Sequence, residues 1–213
     1  MTAATTTVVG ISQRVRYDSA YGEYRDELDH RLSEWVMAAG FIPVPIPNWL
    51  GVSNVDVSPL LCNWLSSVGV QGLILSGGND IGQYSIRDSL EVSLLCWAEE
   101  RHLPVLGVCR GMQMMGVQAG GRLMAVEGHT GGRHELQAID SRFECADNVN
   151  SYHHYSLVEC PEVYRVAVQS EDKAIEAMIH KELPWQAWMW HPEREQSFSD
   201  KDLVNFRRLM GCD

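Results

Sequence analysis

Two places in this chain combine residue types that do covalent chemistry: Cys109, and the later run His191-Pro192-Glu193. Cys109 lies within Pro104-Val-Leu-Gly107-Val-Cys109-Arg-Gly111-Met-Gln113-Met-Met-Gly116. This stretch opens as a short apolar run suited to a buried strand and closes as a helical pattern, with Met112, Met115 and Ala119 spaced three and four apart. A sharp strand-to-helix turn needs small neighbours, because the residue at the bend is pushed into a strained backbone region. Gly107 and Gly111 supply them. A thiol at the start of the following helix feels the positive end of its dipole, which favours thiolate. The other cysteines, Cys62, Cys96, Cys145, Cys160 and Cys212, lack this context and read as small hydrophobes.

His191 follows the aromatic run Ala187-Trp-Met-Trp190, which reads as a strand, and Pro192 prevents that strand from continuing. Glu193 is close enough in sequence to bond the second ring nitrogen of His191 and fix its tautomer. A thiol activated by an imidazole that a carboxylate orients is the logic of covalent acyl transfer.

The elements that must position these groups read as alternating strands and helices. Val8-Val-Gly-Ile-Ser is the first strand, and 13–24 a polar loop. From Tyr24 to Gly40 the positions Leu28, Leu32, Trp35, Val36 and Ala39 recur at helical spacing. Pro43, Pro45 and Pro47 force 41–46 to be extended. Strand, helix, strand is a right-handed parallel crossover. A short helix at 58–68 and a buried strand at 72–75 lead into Ser76-Gly77-Gly78-Asn79-Asp80. Residues 87–101 are helical, with Leu90, Leu94, Trp97 and Ala98 inward. Three late strands, at 163–169, 174–179 and 185–190, form hairpins that bring His191 to the sheet edge, and Ser199 caps a final helix.

Arg14, Arg16 and Arg25 lie where a strand-to-helix connection crosses the carboxyl edge of such a sheet. They are either solvated surface charges or ligands for an anionic group such as phosphate. The segment 120–138 is rich in Gly and His, including His129 and His134. The spacing of those two histidines matches no standard metal-ligand pair and no cysteine is near, so the segment reads as a loop over the site, with Arg133 facing substrate and no metal.

At 213 residues the chain makes one α/β domain, 1–213. A net charge of −11 argues against nucleic acid and against an anionic membrane as partners. The opening Met1-Thr-Ala-Ala-Thr-Thr-Thr carries no signal-peptide pattern, and no apolar run approaches the roughly 18 residues of a membrane helix. The cysteines form no C-x-x-C pair, and the expected compartment is a reducing cytoplasm.

Gly107-Val-Cys109-Arg-Gly111-Met-Gln113-Met, Ser76-Gly-Gly-Asn-Asp80 and Trp190-His191-Pro-Glu193 together resemble the class I glutamine amidotransferase family and, within it, the γ-glutamyl hydrolase branch. The resemblance implies a flavodoxin-like, doubly wound α/β fold: a mostly parallel sheet with helices on both faces and a small antiparallel extension. It implies Cys109 as nucleophile, His191 as base and then acid, and Glu193 as its orienter. The main-chain amides of Gly78 and Arg110 would form the oxyanion hole. Gly77, Asn79, Gln113, Ser151, Tyr152 and His153 would meet the glutamyl portion. No metal or organic cofactor is implied. The opening Gly10-Ile-Ser-Gln-Arg, Arg87-Asp88 and Trp190-His-Pro-Glu-Arg-Glu195 look most like a subgroup that hydrolyses γ-glutamyl-CDP-amidate on the route to capsular phosphoramidate. Arg14, Arg16 or Arg133 would then meet the diphosphate. Hydrolysis of γ-glutamyl-GABA and ammonia delivery to a separate synthetase remain the alternatives, as does a homodimer. Family members that lose the triad become binding proteins; here all three positions are filled.

Overall fold

The computed structural model describes residues 6–52 and 58–212. The N-terminal stretch read for a leader therefore lies largely outside the described residues. In chain order the elements begin with strands β1 (Val8–Ile11), β2 (Arg14–Asp18) and β3 (Glu23–Glu27), helix α1 (His30–Ala38) and strand β4 (Ile42–Pro45). Helix α2 (Pro59–Val68), strand β5 (Val70–Leu75), helix α3 (Ser85–Arg101), strand β6 (Val105–Val108) and helix α4 (Arg110–Gln118) follow. The rest is β7 (Leu123–Ala125), β8 (Thr130–Ala138), β9 (Asn148–Tyr152), β10 (Tyr155–Leu157), β11 (Tyr164–Ser170), β12 (Ile175–His180), β13 (Trp185–Trp188) and helix α5 (Asp200–Leu209).

The main sheet has nine strands in the order β4-β1-β5-β6-β13-β12-β11-β8-β9. Its first five strands pair in parallel, and every pairing from β13 to β9 is antiparallel. The antiparallel part is thus a four-stranded extension of the parallel half. Side chains alternate across a strand. Ile74 accordingly joins one core with Trp35 and Phe206 of α1 and α5, while Leu73 and Leu75 join the other with Leu61, Leu94 and Met112 of α2, α3 and α4. Helices cover both faces, as the doubly wound α/β expectation requires.

Two expected loops are strands. The segment 13–24 and the start of the expected first helix form the β2–β3 hairpin, in which Tyr17 pairs with Tyr24, their rings 4.9 Å apart. Aromatic pairs across a hairpin stabilise it where one strand alone carries only a single buried side chain, Val15. The helix starts at His30, where the Asp29 carboxylate accepts the Arg31 amide. The segment 120–138 contains β7 and the nine-residue β8, which pairs with β11 on one side and β9 on the other. Ladder partners from distant strands override its glycine content. Among the described residues no helix is long and apolar enough to cross a membrane.

Candidate active site

Cys109 stands at the join of β6 and α4 with φ +52°, a conformation non-glycine residues rarely hold. Its amide donates to the Trp188 carbonyl at 2.7 Å. The glycines around it are required by space: a Cβ on Gly111 would sit 2.1 Å from the Leu75 carbonyl oxygen, and one on Gly107 2.5 Å from the Met115 sulfur. The bend therefore closes only with hydrogen in those places.

His191 reaches the same point from the neighbouring strand. β13 runs parallel to β6 with Trp188 opposite Val108, so the residues just past both strands emerge at one sheet edge. Cys109 and His191 line the same small pocket, and the thiol's proximity favours the charged ring. On the other side, Nδ1 of His191 lies 2.6 Å from Oε1 of Glu193. Both residues are buried. Burial opposes the imidazolium, but the Glu193 carboxylate and the neighbouring Cys109 more than offset it, and the His191 pKa is pushed up to about 9. Gly77 makes room for this ring, since a Cβ there would lie 2.4 Å from Cε1 of His191. Tyr152 meets the ring edge-on, centroids 6.0 Å apart.

A small pocket holds Cys109 and His191 together with Gly78, Asn79, Arg110, Gln113, Tyr152 and His153. Several of these have side chains already engaged. The amide of Gln113 donates to the Tyr155 carbonyl at 2.9 Å, and Asn79 accepts from the Val15 amide at 2.8 Å and donates back to its carbonyl at 3.1 Å. Gly77, Ser151, Arg14, Arg16 and Arg133 are not among the residues lining this pocket. Ser151 turns its hydroxyl to the His129 carbonyl at 2.6 Å. Arg16 pairs with Glu27 at 2.6 Å on the β2–β3 hairpin, and Arg133 with Glu195 at 3.1 Å. Arg14 does approach, its Nε 3.4 Å from where a Gly78 Cβ would stand.

Sequence reasoning missed the groups that hold the site. Arg87, with no exposed surface, donates to the carbonyls of Ser76 at 2.6 Å and Gly77 at 3.2 Å, to that of Gly78, and to Glu91 at 3.0 Å. Burial lowers its pKa to about 10, with Glu91 opposing, so the guanidinium remains charged at neutral pH. The Arg110 side chain completes the cluster by pairing with Glu91 and Asp88. The signal was present: Arg87 and Glu91 share the inward helix face with Leu90 and Leu94. Asn150 is a second missed residue, bonded to His191 through its backbone. The pair His129 and His134 is also more than local spacing implied, because His153 and Glu176 join it from other segments.

Comparison with known proteins agrees with this architecture. The family model for glutamine amidotransferase class-I matches residues 53–209. The γ-glutamyl-CDP-amidate hydrolase of Campylobacter jejuni is 28% identical over 205 residues, covering 92% of this chain and 94% of that one. A glutamine-hydrolyzing GMP synthase subunit of Methanocaldococcus jannaschii is 25% identical, covering 85% of this chain and 92% of that one. A solved glutamine amidotransferase from Thermotoga maritima aligns with TM-score 0.63 at 13% identity, over 98% of this chain and 85% of that one. With the sheet order, the cysteine bend and a family match over most of its length, this chain belongs to the class I glutamine amidotransferases.

Proposed function

We propose that this protein is a cysteine hydrolase of a γ-glutamyl C–N bond, acting in the cytoplasm on γ-glutamyl-CDP-amidate and releasing glutamate and cytidine diphosphoramidate. The observation that carries the reading is that Cys109 and His191 line one small pocket, with Nδ1 of the His191 ring held by Glu193 at 2.6 Å. The thiolate attacks the γ-carbonyl, and the oxyanion is received by the main-chain N–H groups of Gly78 and Arg110, both of which line the pocket. The His191 imidazolium gives its proton to the leaving nitrogen, which departs and leaves a thioester on Cys109. Neutral His191 then takes a proton from water, the hydroxide adds to the thioester, and glutamate leaves as the thiol is restored. These steps need no metal.

The choice of leaving group is supported by the match to the Campylobacter hydrolase along nearly its whole length. A diphosphate would find one cation in the pocket, Arg194, which lies over the Tyr152 ring at 4.7 Å, and a second, Arg14, just outside it next to Gly78. The likeness to part of a GMP synthase favours a second reading, in which glutamine is the substrate and ammonia passes to a separate synthetase. Incubation with γ-glutamyl-CDP-amidate, γ-glutamyl-GABA and glutamine, with glutamate release as the readout, separates them. Turnover of the nucleotide conjugate far above the other two, abolished in Cys109→Ala, is expected. Turnover of glutamine alone, or undiminished turnover by Cys109→Ala, overturns the proposal.

A further inference from the structure

Beside the cysteine pocket, four side chains from separate segments point at one spot. His129 precedes β8, His134 lies within it, His153 follows β9, and Glu176 lies in β12. One ligand-type atom from each falls within 4.8 Å of all the others. Nδ1 of His129 is 3.0 Å from Nε2 of His153, and each is 3.7 Å from Oε1 of Glu176. A tetrahedral ion with bonds of about 2.0–2.1 Å to nitrogen sets its ligand atoms about 3.3 Å apart, so the separations among His129, His153 and Glu176 are those of one coordination shell, and His134 stands within 4.8 Å to complete it.

Proton bookkeeping shows why a cation belongs there. His153 Nδ1 contacts the Tyr155 carbonyl at 3.1 Å, and a carbonyl only accepts, so that nitrogen carries the hydrogen. His129 Nε2 contacts the Asp172 carboxylate at 2.8 Å and likewise donates. The facing nitrogens, His129 Nδ1 and His153 Nε2, are then both lone pairs, 3.0 Å apart. A proton placed between them would relieve that opposition and no more. It would leave Nε2 of His134 and Oε1 of Glu176, two buried atoms with no hydrogen-bond partner. A buried carboxyl oxygen without a partner is costly whether or not it is charged. One divalent ion satisfies all four atoms together. The outer contacts fit as well, because metal-bound histidines characteristically donate their second N–H to a carboxylate or a backbone carbonyl, as His129 and His153 do here.

We propose that His129, His134, His153 and Glu176 form a closed structural zinc site. Three imidazoles and one carboxylate suit zinc over magnesium or calcium, which prefer oxygen shells. With four protein ligands the ion has no open position for substrate. Its work is to tie β8, β12 and the segment after β9, so that the pocket wall at Tyr152 and His153 is held by a metal bond and not by the strand ladder alone. This assignment stands whichever γ-glutamyl compound the enzyme takes.

The test is the metal content of the folded protein after dialysis against buffer containing micromolar zinc, measured by mass spectrometry, with cobalt(II) absorption reporting geometry. About one zinc per chain and a tetrahedral cobalt spectrum are expected. Both should persist in Cys109→Ala, which removes the thiol as a competing ligand. Asp172→Asn, at an exposed position, should weaken zinc affinity about 10–100-fold while the protein stays folded by circular dichroism. His134→Ala should abolish stoichiometric binding. Wild-type protein that is folded yet binds no stoichiometric zinc overturns the site, and so does zinc that disappears with Cys109→Ala.

Discussion

Asn150 and His191 hold each other by two reciprocal hydrogen bonds: the Asn150 amide group donates to the His191 carbonyl at 2.8 Å, and the His191 N–H donates to Oδ1 of Asn150 at 3.1 Å. The clamp fixes the main chain from which the imidazole projects. Asn150→Ala should therefore lower kcat by about 10²-fold with a smaller change in KM, since misplacing a reacting group by about 1 Å costs that much. Steady-state kinetics on the γ-glutamyl substrate checks it. An equal rise in KM at unchanged kcat would show that the residue binds substrate instead.

The proton on His191 sets a limit at high pH. Its pKa is raised to about 9, so the imidazolium persists through neutral pH and is lost as pH climbs past that value. The leaving nitrogen needs that proton, and kcat/KM should fall above pH about 9. The Glu193 carboxylate is the chief group offsetting burial, so Glu193→Gln should shift the falling limb to lower pH. A pH–rate profile of both proteins reads this directly.

Clearance at Gly77 matters as much as any charge. A Cβ there would stand 2.4 Å from Cε1 of His191, and the ring must move to admit it. Gly77→Ala should cost about 1–3 kcal/mol of stability and most of the activity, while alkylation of Cys109 by iodoacetamide still proceeds. Thermal melting with thiol labelling separates the two effects.

Asp202 carries a stability switch of its own. Burial raises its pKa to about 7, although the Trp190 N–H at 3.2 Å favours the charged form. A carboxyl raised above its unfolded value holds its proton in the fold, so stability is lost as pH rises from about 4 through 7. Asp202→Asn should raise Tm at pH 8 and change it little at pH 4. Calorimetry at the two pH values is the measurement.

The cysteine bend was legible because its demands are local: two glycines and a strand-to-helix switch say what the backbone must do. His191 and Glu193 were legible for the same reason, being two residues apart. What escaped was long-range. Asn150 holds His191 across the sheet, and Arg87 collects carbonyls from Ser76 to Gly78 by reaching over from α3. The histidine cluster escaped because a spacing rule examines neighbours in the chain, whereas His153 and Glu176 arrive with β9 and β12. The β2–β3 hairpin was hidden by its charged residues, which suit a solvated ribbon as well as a loop.

The Cys109 N–H bonded to the Trp188 carbonyl ties the nucleophile through one rung to the strand that leads to His191, in the interior of a nine-stranded sheet. Breaking that rung requires opening the sheet itself. In deuterated solvent the Cys109 amide should thus retain its hydrogen about as long as the most protected core positions, so the reacting pair is set when the molecule folds and does not wait for a moving segment to assemble it.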